Sequence, residues 1–446
     1  MPFYWIIHSI RKFRMEFLES VFGLLDRDAI EKAFEGFTVR KRTYSTWPIL
    51  VMFLSQVAMR NSCRKEVADA ISNRLVPRRT DQGTSAYCNA RNRLPEEPLR
   101  ELVWQYGEAL AGKARKGELF FGRRVKVVDG TSVQLPDTEA NQAEYPQPAG
   151  QKPGCGNPVM YISVLMDLAT GAILRALTSG GSGYERKLFR EMWPTLEKGD
   201  IVLGDRNYGS YAEIAMLSEL GVDGVFRWND TRKHRMDGVV RLGKDDWLET
   251  WERPANPGDW IDCDGLPKTI KVRVVRFNCQ VKGSRSKEIK LVTTLTDPKR
   301  HPKEELARLY ARRWEMELRF DDIKTAMELQ LLKCKAPDRC RKELWMGLLA
   351  YNMIRTVMLH AARRRNMDIC KISFAGTRDR LEAFSSGPFA WEDPKEYYRL
   401  LLDNIAEDDL PYRPGRYEPH AVKRRWTRHV LLTKSRHAAR HALLGA

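Results

Sequence analysis

No apolar run in the chain approaches the roughly 18 residues that a membrane-crossing helix needs. The start, MPFYWIIHSIRKFR, offers only a short apolar patch with charge after it and no small-residue cleavage site, so it does not read as a secretory leader. Closely spaced cysteines are also missing. The eight present (Cys63, Cys88, Cys155, Cys263, Cys279, Cys334, Cys340 and Cys370) are scattered, with five residues between the nearest two. No zinc cluster is visible in that spacing, and it fits reduced thiols in a cytoplasmic protein. Acid is in short supply, 58 Asp and Glu against 76 Lys and Arg, leaving a net charge of +18. Such a surplus favours a polyanionic partner, because each neutralised phosphate releases counterions, and nucleic acid fits better than a membrane.

What is there is enough for a large core. A chain of 446 residues that is 43% hydrophobic supports two or three domains. Residues 1–118 read as a helical domain, with helices expected around Trp5 to Leu25, Trp47 to Met59, Arg64 to Arg74, Ser85 to Arg93 and Pro98 to Lys116. The fourth is a short basic helix opened by a Thr/Ser cap. Two readings fit it: a helix-turn-helix-like DNA reader, or an ordinary bundle helix whose Arg91 and Arg93 are solvated.

Near Arg123 the pattern turns strand-like. In VKVVDGTSVQLPD, Val125, Val127 and Asp129 share one face of a strand, and the acid closes the apolar run. A Pro-, Gly-, Gln- and Asn-rich stretch from Pro136 to Pro158 reads as a mobile loop. VMYISVLMDL and ILRALTSG follow as strands, then a helix about Glu185 to Leu196. Strands before a helix in this order resemble the ribonuclease-H-like fold. DIVLGDRNYG repeats the arrangement of the first strand, with Asp205 closing an apolar run where ligands gather at a sheet edge. From 229 to 301 the pattern is mostly β. In TIKVRVVRF, Ile270, Val272 and Val274 oppose Lys271, Arg273 and Val275, which predicts one wet, basic face that either tracks a DNA backbone or is simply solvated.

The segment from Pro302 to Leu329 carries its chemistry at helical spacing and is expected to be one long helix. At roughly 100° per residue, Leu309, Met316, Phe320, Ile323 and Met327 form an apolar stripe. Tyr310, Arg313, Glu317 and Lys324 line its edge. Asp321 faces the same edge and competes for the acidic role. A second, strongly apolar helix, KELWMGLLAYNMIRTVMLHAARR, is expected against the sheet. The tail from Pro411 to Ala446 holds nine Lys or Arg against the single acid Glu418.

The spacing Tyr-x2-Arg-x3-Glu-x6-Lys resembles the signature of the DDE transposases of bacterial insertion sequences, in the insertion sequence four family. DGTSVQLPD and GDRNYG resemble that family's first and second carboxylate motifs, in the right order, and the likeness runs from about Val125 to the C-terminus. EIKLVTT has no Trp where some relatives stack a flipped base. The resemblance implies an α/β protein with a ribonuclease-H-like catalytic core at 119–228 and 302–365. It further implies a mostly β insertion at 229–301, a helical N-terminal DNA-binding domain, and a C-terminal segment at 366–446 with the basic tail.

It also implies a catalytic and metal-binding triad of Asp129, Asp205 and Glu317 holding two Mg²⁺ ions, with Mn²⁺ able to substitute. Tyr310, Arg313 and Lys324 would hold phosphate, and Arg206, next to Asp205, would assist. The implied reaction cuts DNA at the element's ends and joins the freed 3′-hydroxyls to target DNA. Its partners would be double-stranded DNA, both terminal repeats and target, and a second copy of the chain in a homodimer at the bacterial nucleoid. A ribonuclease-H-like nuclease or junction resolvase could use the same acids, and a DNA-binding derivative could have lost catalysis.

Overall fold

The computed structural model describes residues 27–35, 37, 43–73, 75–181, 183–229, 238–254, 265–278, 288–386, 393–408 and 433–444. The expected Trp5 to Leu25 helix, Cys263, Cys279 and most of the basic tail lie outside them. Among the described residues no helix is long and apolar enough to cross a membrane. The architecture is mixed α/β: one large sheet with helices on both faces and a helical bundle before it.

The bundle comprises α1 (Arg27–Ala33), α2 (Thr46–Ala58), α3 (Cys63–Ser72), α4 (Ser85–Arg93) and α5 (Glu96–Ala111). Four of the expected helices are found near their expected bounds, and α1 is an addition. Thr84 does cap α4, but its side chain makes no capping hydrogen bond. Arg91 is not solvated. Its guanidinium lies 4.8 Å from the Phe53 ring centroid and donates to Gln56 Oε1 at 2.8 Å, so this cation helps hold the bundle.

The sheet runs β3-β2-β1-β4-β5-β9-β8-β7-β6. Its strands are β1 (Val125–Gln134), β2 (Val159–Asp167), β3 (Ile173–Ser179), β4 (Ile201–Gly204), β5 (Asp223–Arg227), β6 (Val240–Gly243), β7 (Asp246–Glu252), β8 (Thr269–Asn278) and β9 (Glu288–Thr293). β1 is antiparallel to β2 and parallel to β4, which is parallel to β5. Between β1 and β2 the expected mobile loop is packed instead: it carries α6 (Glu139–Glu144), and Asn141, wholly buried, donates to Pro136 O at 2.9 Å. Beyond β3, α7 (Glu185–Glu191) is shorter than the expected helix and gives way to a 3₁₀ turn at Trp193–Thr195. α8 (Tyr211–Glu219) joins β4 to β5.

The four strands of the insertion continue this same sheet, because β9 pairs antiparallel with both β5 and β8. Here the expected wet face is overturned at its centre. Arg273 is fully buried, donating to both oxygens of Asp246 at 2.7 and 2.6 Å and to His301 O at 2.6 Å. β8 is flanked by strands on both edges and covered on both faces, Val272 and Val274 by one apolar cluster and Val275 by the other. A cation in that position is retained only because every donor it presents inward has an acceptor.

The segment expected as one long helix is broken. α9 (Lys303–Ala311) ends where the amide donors of Arg313, Glu315 and Met316 reach back three residues instead of four. α10 (Trp314–Asp321) follows, and a π-helical turn at Asp322–Ala326 then widens the spiral. The overtight turn and the wide turn shift phase in opposite senses, so the apolar stripe survives: Leu309, Met316, Phe320, Ile323 and Met327 are all buried.

α11 (Pro337–Arg364) is the second apolar helix and is buried along nearly its whole length. Asn352 fixes it against the sheet, accepting from Ile173 N at 2.9 Å and donating to Ile173 O and, on α5, Val103 O. α5 comes so near β3 here that a Cβ on Gly107 would fall 1.9 Å from Ile173 O. α12 (Phe374–Ser386), α13 (Pro394–Ala406) and α14 (Arg436–Leu444) complete the described chain.

Candidate active site

Strand register sets the first two acids side by side. Val127 of β1 pairs with Leu203 of β4 in parallel, and Asp129 and Asp205 each lie two residues further along. Since side chains alternate, both acids leave on the face of Val125, Val127, Ile201 and Leu203, which is the face covered by Leu309, Met316 and Phe320. The third acid comes from that covering helix. Glu317 Oε1 lies 3.5 Å from Arg313 Nη2, while Arg313 Nη1 lies 3.2 Å from Asp129 Oδ2. One guanidinium thus bridges strand acid and helix acid.

The environments differ. Asp129 has a side chain only 20% exposed, and its carboxyl is pushed up to about 6. Burial is the largest cause; Arg313 and the Gly130 amide oppose it, and the charges of Asp205 and Glu317 add to it. Glu317 is open, with its side chain 52% exposed. Asp205 accepts from Asn207 N at 2.8 Å in the turn after β4. Tyr310 is almost fully buried beside Arg313, and its hydroxyl is pushed up chiefly by burial, with the charges of Arg313, Arg227 and Asp205 nearby. Arg313 keeps one donor in reserve: its buried Nε has no hydrogen-bond partner.

The expected residues therefore converge in large part. Asp129, Asp205, Glu317, Tyr310 and Arg313 meet where β1 runs on past the end of β4, beside α9 and α10. Lys324 is half-buried on the π turn, and Arg206 lines a neighbouring cleft of about 510 Å³ with Glu185, Arg186 and Asn207. Asp321, the competitor for the acidic role, is exposed. Sequence reasoning missed Glu185, whose carboxyl is raised by burial and then by the charge of Asp205, and the buried Tyr208, whose hydroxyl is raised by burial and then by the charges of Glu185, Asp129 and Asp205. A lone acid at a helix start reads as an ordinary first-turn charge, and a Tyr after a turn as core.

A family model described as the transposase DDE domain matches residues 120–353. The chain belongs to the DDE transposase family, a class of polynucleotidyl transferases. Within that class it is 30% identical over 337 residues to the transposase InsG for insertion sequence element IS4 of Escherichia coli (strain K12), covering 73% of this chain and 72% of the relative. A piggyBac transposase, solved by cryo-electron microscopy as a synaptic complex with hairpin DNA, aligns over 93% of this chain and 84% of its own at 10% identity, with a TM-score of 0.38. That likeness is loose.

DDE transposases in general use divalent metal ions. The donor set here suits a hard cation, since all three acids offer carboxylate oxygens. Their negative charge also exceeds what one guanidinium neutralises, and the excess contributes to the raised Asp129 carboxyl. Among the described residues no three acid, His or Cys side chains already close around a single point. Arg313 stands between two of the three.

Proposed function

We propose that this transposase cuts DNA at the ends of an insertion sequence and joins the freed 3′-hydroxyls to target DNA, with Asp129, Asp205 and Glu317 as its catalytic acids. The observation that carries the reading is the Arg313 bridge, which brings the helix acid to the strand acid at the edge where Asp205 also emerges. A ribonuclease-H-like core over 119–228 and 302–365 is supported by the order β3-β2-β1-β4-β5, antiparallel on one side of β1 and parallel on the other. Residues 229–301 form the β insertion in this reading, 1–118 the DNA-binding bundle and 366–446 the C-terminal segment.

Asp129, Asp205 and Glu317 would hold two Mg²⁺ ions, which when bound supply a polarised nucleophilic oxygen and stabilise the leaving one. The chain's own groups do the rest. Arg313, with its unpaired Nε, turns from the carboxylates to the phosphate of the strand being cut and can grip it through two parallel donors. Tyr310 fixes the guanidinium from one side, its ring centroid 5.8 Å from the Arg313 carbon. Lys324 and Arg206 neutralise flanking phosphates. The partner is double-stranded DNA, as terminal repeats and as target, engaged at the nucleoid by two copies of the chain.

The test is incubation of the purified protein with Mg²⁺ and a duplex carrying its flanking terminal repeats, with the cut strands mapped. Asp129→Asn, Asp205→Asn and Glu317→Gln are each expected to abolish cutting while DNA binding is kept or strengthened, because removing a ligand also removes repulsion of phosphate. Asp321→Asn should cost far less. An inactive Asp321→Asn beside an active Glu317→Gln overturns the assignment of the third acid. Cutting without joining to target DNA would make the protein a nuclease.

A further inference from the structure

Three helices of the bundle bring two thiols together. Cys63 is the first residue of α3, directly after its Ser62 cap, and Cys88 lies in α4. Their sulfurs are 3.7 Å apart, with the Cys88 thiol donating to Cys63. Gln56 of α2 donates to the same Cys63 sulfur through Nε2 at 3.2 Å, while its Oε1 accepts from Arg91 Nη1 at 2.8 Å and from the Tyr87 hydroxyl at 2.9 Å. Cys63 thus receives two donors at a helix start, with a guanidinium one amide group away. Such donors favour this sulfur as the nucleophile of the pair.

Cys88 stands in the complementary position. Its thiol is pushed up chiefly by burial, then by the charge of Cys63 and by donating to it, with Arg91 opposing. Both cysteines are half-buried, and both line a cleft of about 560 Å³ whose far wall, with Leu329 and Cys334, belongs to the segment after the π turn. A small solute can therefore reach them. The other described cysteines are placed differently. Cys155, Cys334 and Cys340 are buried, and Cys370 meets the Glu315 carboxylate at 3.7 Å, where burial and then that charge push its thiol up to about 11.

We propose that Cys63 and Cys88 are a modification site, a dithiol that a hydroperoxide converts reversibly to a disulfide tying α3 to α4. The Cys63 sulfur attacks one peroxide oxygen, the O–O bond breaks, and the other oxygen leaves with a proton as water or an alcohol. Cys63 is then a sulfenic acid. The Cys88 sulfur attacks the Cys63 sulfur, the S–O bond breaks, and the hydroxide leaves with the Cys88 proton as water. Two electrons pass from the two sulfurs to the peroxide. Disulfide sulfurs stand about 2.0 Å apart, so closure brings the pair about 1.7 Å nearer, a shift that side-chain rotation can supply. Two equivalents of a small thiol restore the dithiol by exchange.

The experiment exposes the reduced full-length protein to graded hydrogen peroxide, caps remaining thiols with N-ethylmaleimide, digests with trypsin without reductant and reads the peptides by mass spectrometry. Cys63 falls in the peptide 61–64 and Cys88 in the peptide 80–91, one cysteine in each. The expected product is these two peptides joined, at peroxide doses on the order of tenfold below those that consume any other thiol, and separated again by dithiothreitol. Cys88→Ser should trap the sulfenic acid on Cys63 as a dimedone adduct, Cys63→Ser should leave residue 88 unlabelled at that dose, and Cys334→Ser should keep the cross-link. Circular dichroism checks the fold of each variant, and the wild-type digest needs none of them. Separate, maleimide-capped peptides 61–64 and 80–91 at doses that already oxidise Cys334 or Cys370 overturn the proposal. So does a joined peptide that forms only in urea. Dimedone on Cys88 in Cys63→Ser, with none on Cys63 in Cys88→Ser, overturns the order of attack.

Discussion

Arg313 Nη1 lies 3.2 Å from Asp129 Oδ2 and its Nη2 3.5 Å from Glu317 Oε1, so the residue that caps the start of α10 links that helix electrostatically to β1. An i, i+4 helix pair alone would contribute a few tenths of a kcal/mol. The contact with Asp129 and the unpaired Nε make a different forecast. Arg313→Ala is expected to lose about 2–4 kcal/mol of transition-state stabilisation, read as kcat/KM for cutting, while Mn²⁺ binding to the free protein persists. Arg313→Lys should keep only part of the activity, since an ammonium lacks the bidentate fork. Near-normal strand transfer by Arg313→Ala would sink the phosphate role.

The raised carboxyl of Asp129 has a definite sign in stability. With its folded value at about 6 and an ordinary value near 3.9, the native state holds the extra proton between them. The group's contribution is therefore fully present below about pH 4 and lost as pH rises through about 6. In metal-free protein, Asp129→Asn should match wild type near pH 4 and exceed it by about 2–3 kcal/mol above pH 6, measured by denaturant unfolding. Glu66, pushed up to about 7 in the bundle, shapes both curves alike and cancels from the difference. Saturating divalent cation should shrink the gap, and a gap that is independent of pH contradicts the assignment.

Arg273 and Asp246 form a buried pair far from the acids along the sheet. Removing one partner strands the other charge, so Arg273→Met should lower stability by about 3–5 kcal/mol. The salt dependence of DNA affinity should not change. A shallower salt slope with little loss of stability would mean that this arginine meets phosphate after all.

The tail makes the opposite forecast. Deleting residues 420–446 should flatten the slope of log affinity against log salt by about 0.9 for every phosphate that the tail neutralises. Arg436 is not free to contribute fully, since it pairs with Asp137 at 2.5 Å. An unchanged slope would remove the tail from DNA binding.

The legible parts of the sequence are those in which one residue's neighbours decide its role. Asp129 and Asp205 each close an apolar run, and the stripe from Leu309 to Met327 announces its own burial. Arg273 escapes such reasoning because alternation implies a wet face only where one side of a strand meets water, and β8 is covered on both. The break at Arg312 and Arg313 is invisible for a similar reason. Nothing local forbids helix there, and at that turn Tyr310 is buried and Arg313 pairs with Asp129 of β1, contacts between segments far apart in sequence. Glu185 rests against Gly130, the residue after Asp129, a juxtaposition that no local spacing encodes.

The pairings Val225↔Thr293, Phe226↔Val292 and Arg227↔Leu291 stitch β9 to the last parallel strand, and the chain leaves β9 only to enter α9. Mechanically, the outer strands are thus a lever arm rather than a hinged flap. A sideways pull on the β6–β7 hairpin is carried rung by rung to β5 and, through the short link after Thr293, to the root of the helices bearing Arg313 and Glu317. Load applied at the far edge of the sheet would arrive at the acids as torque.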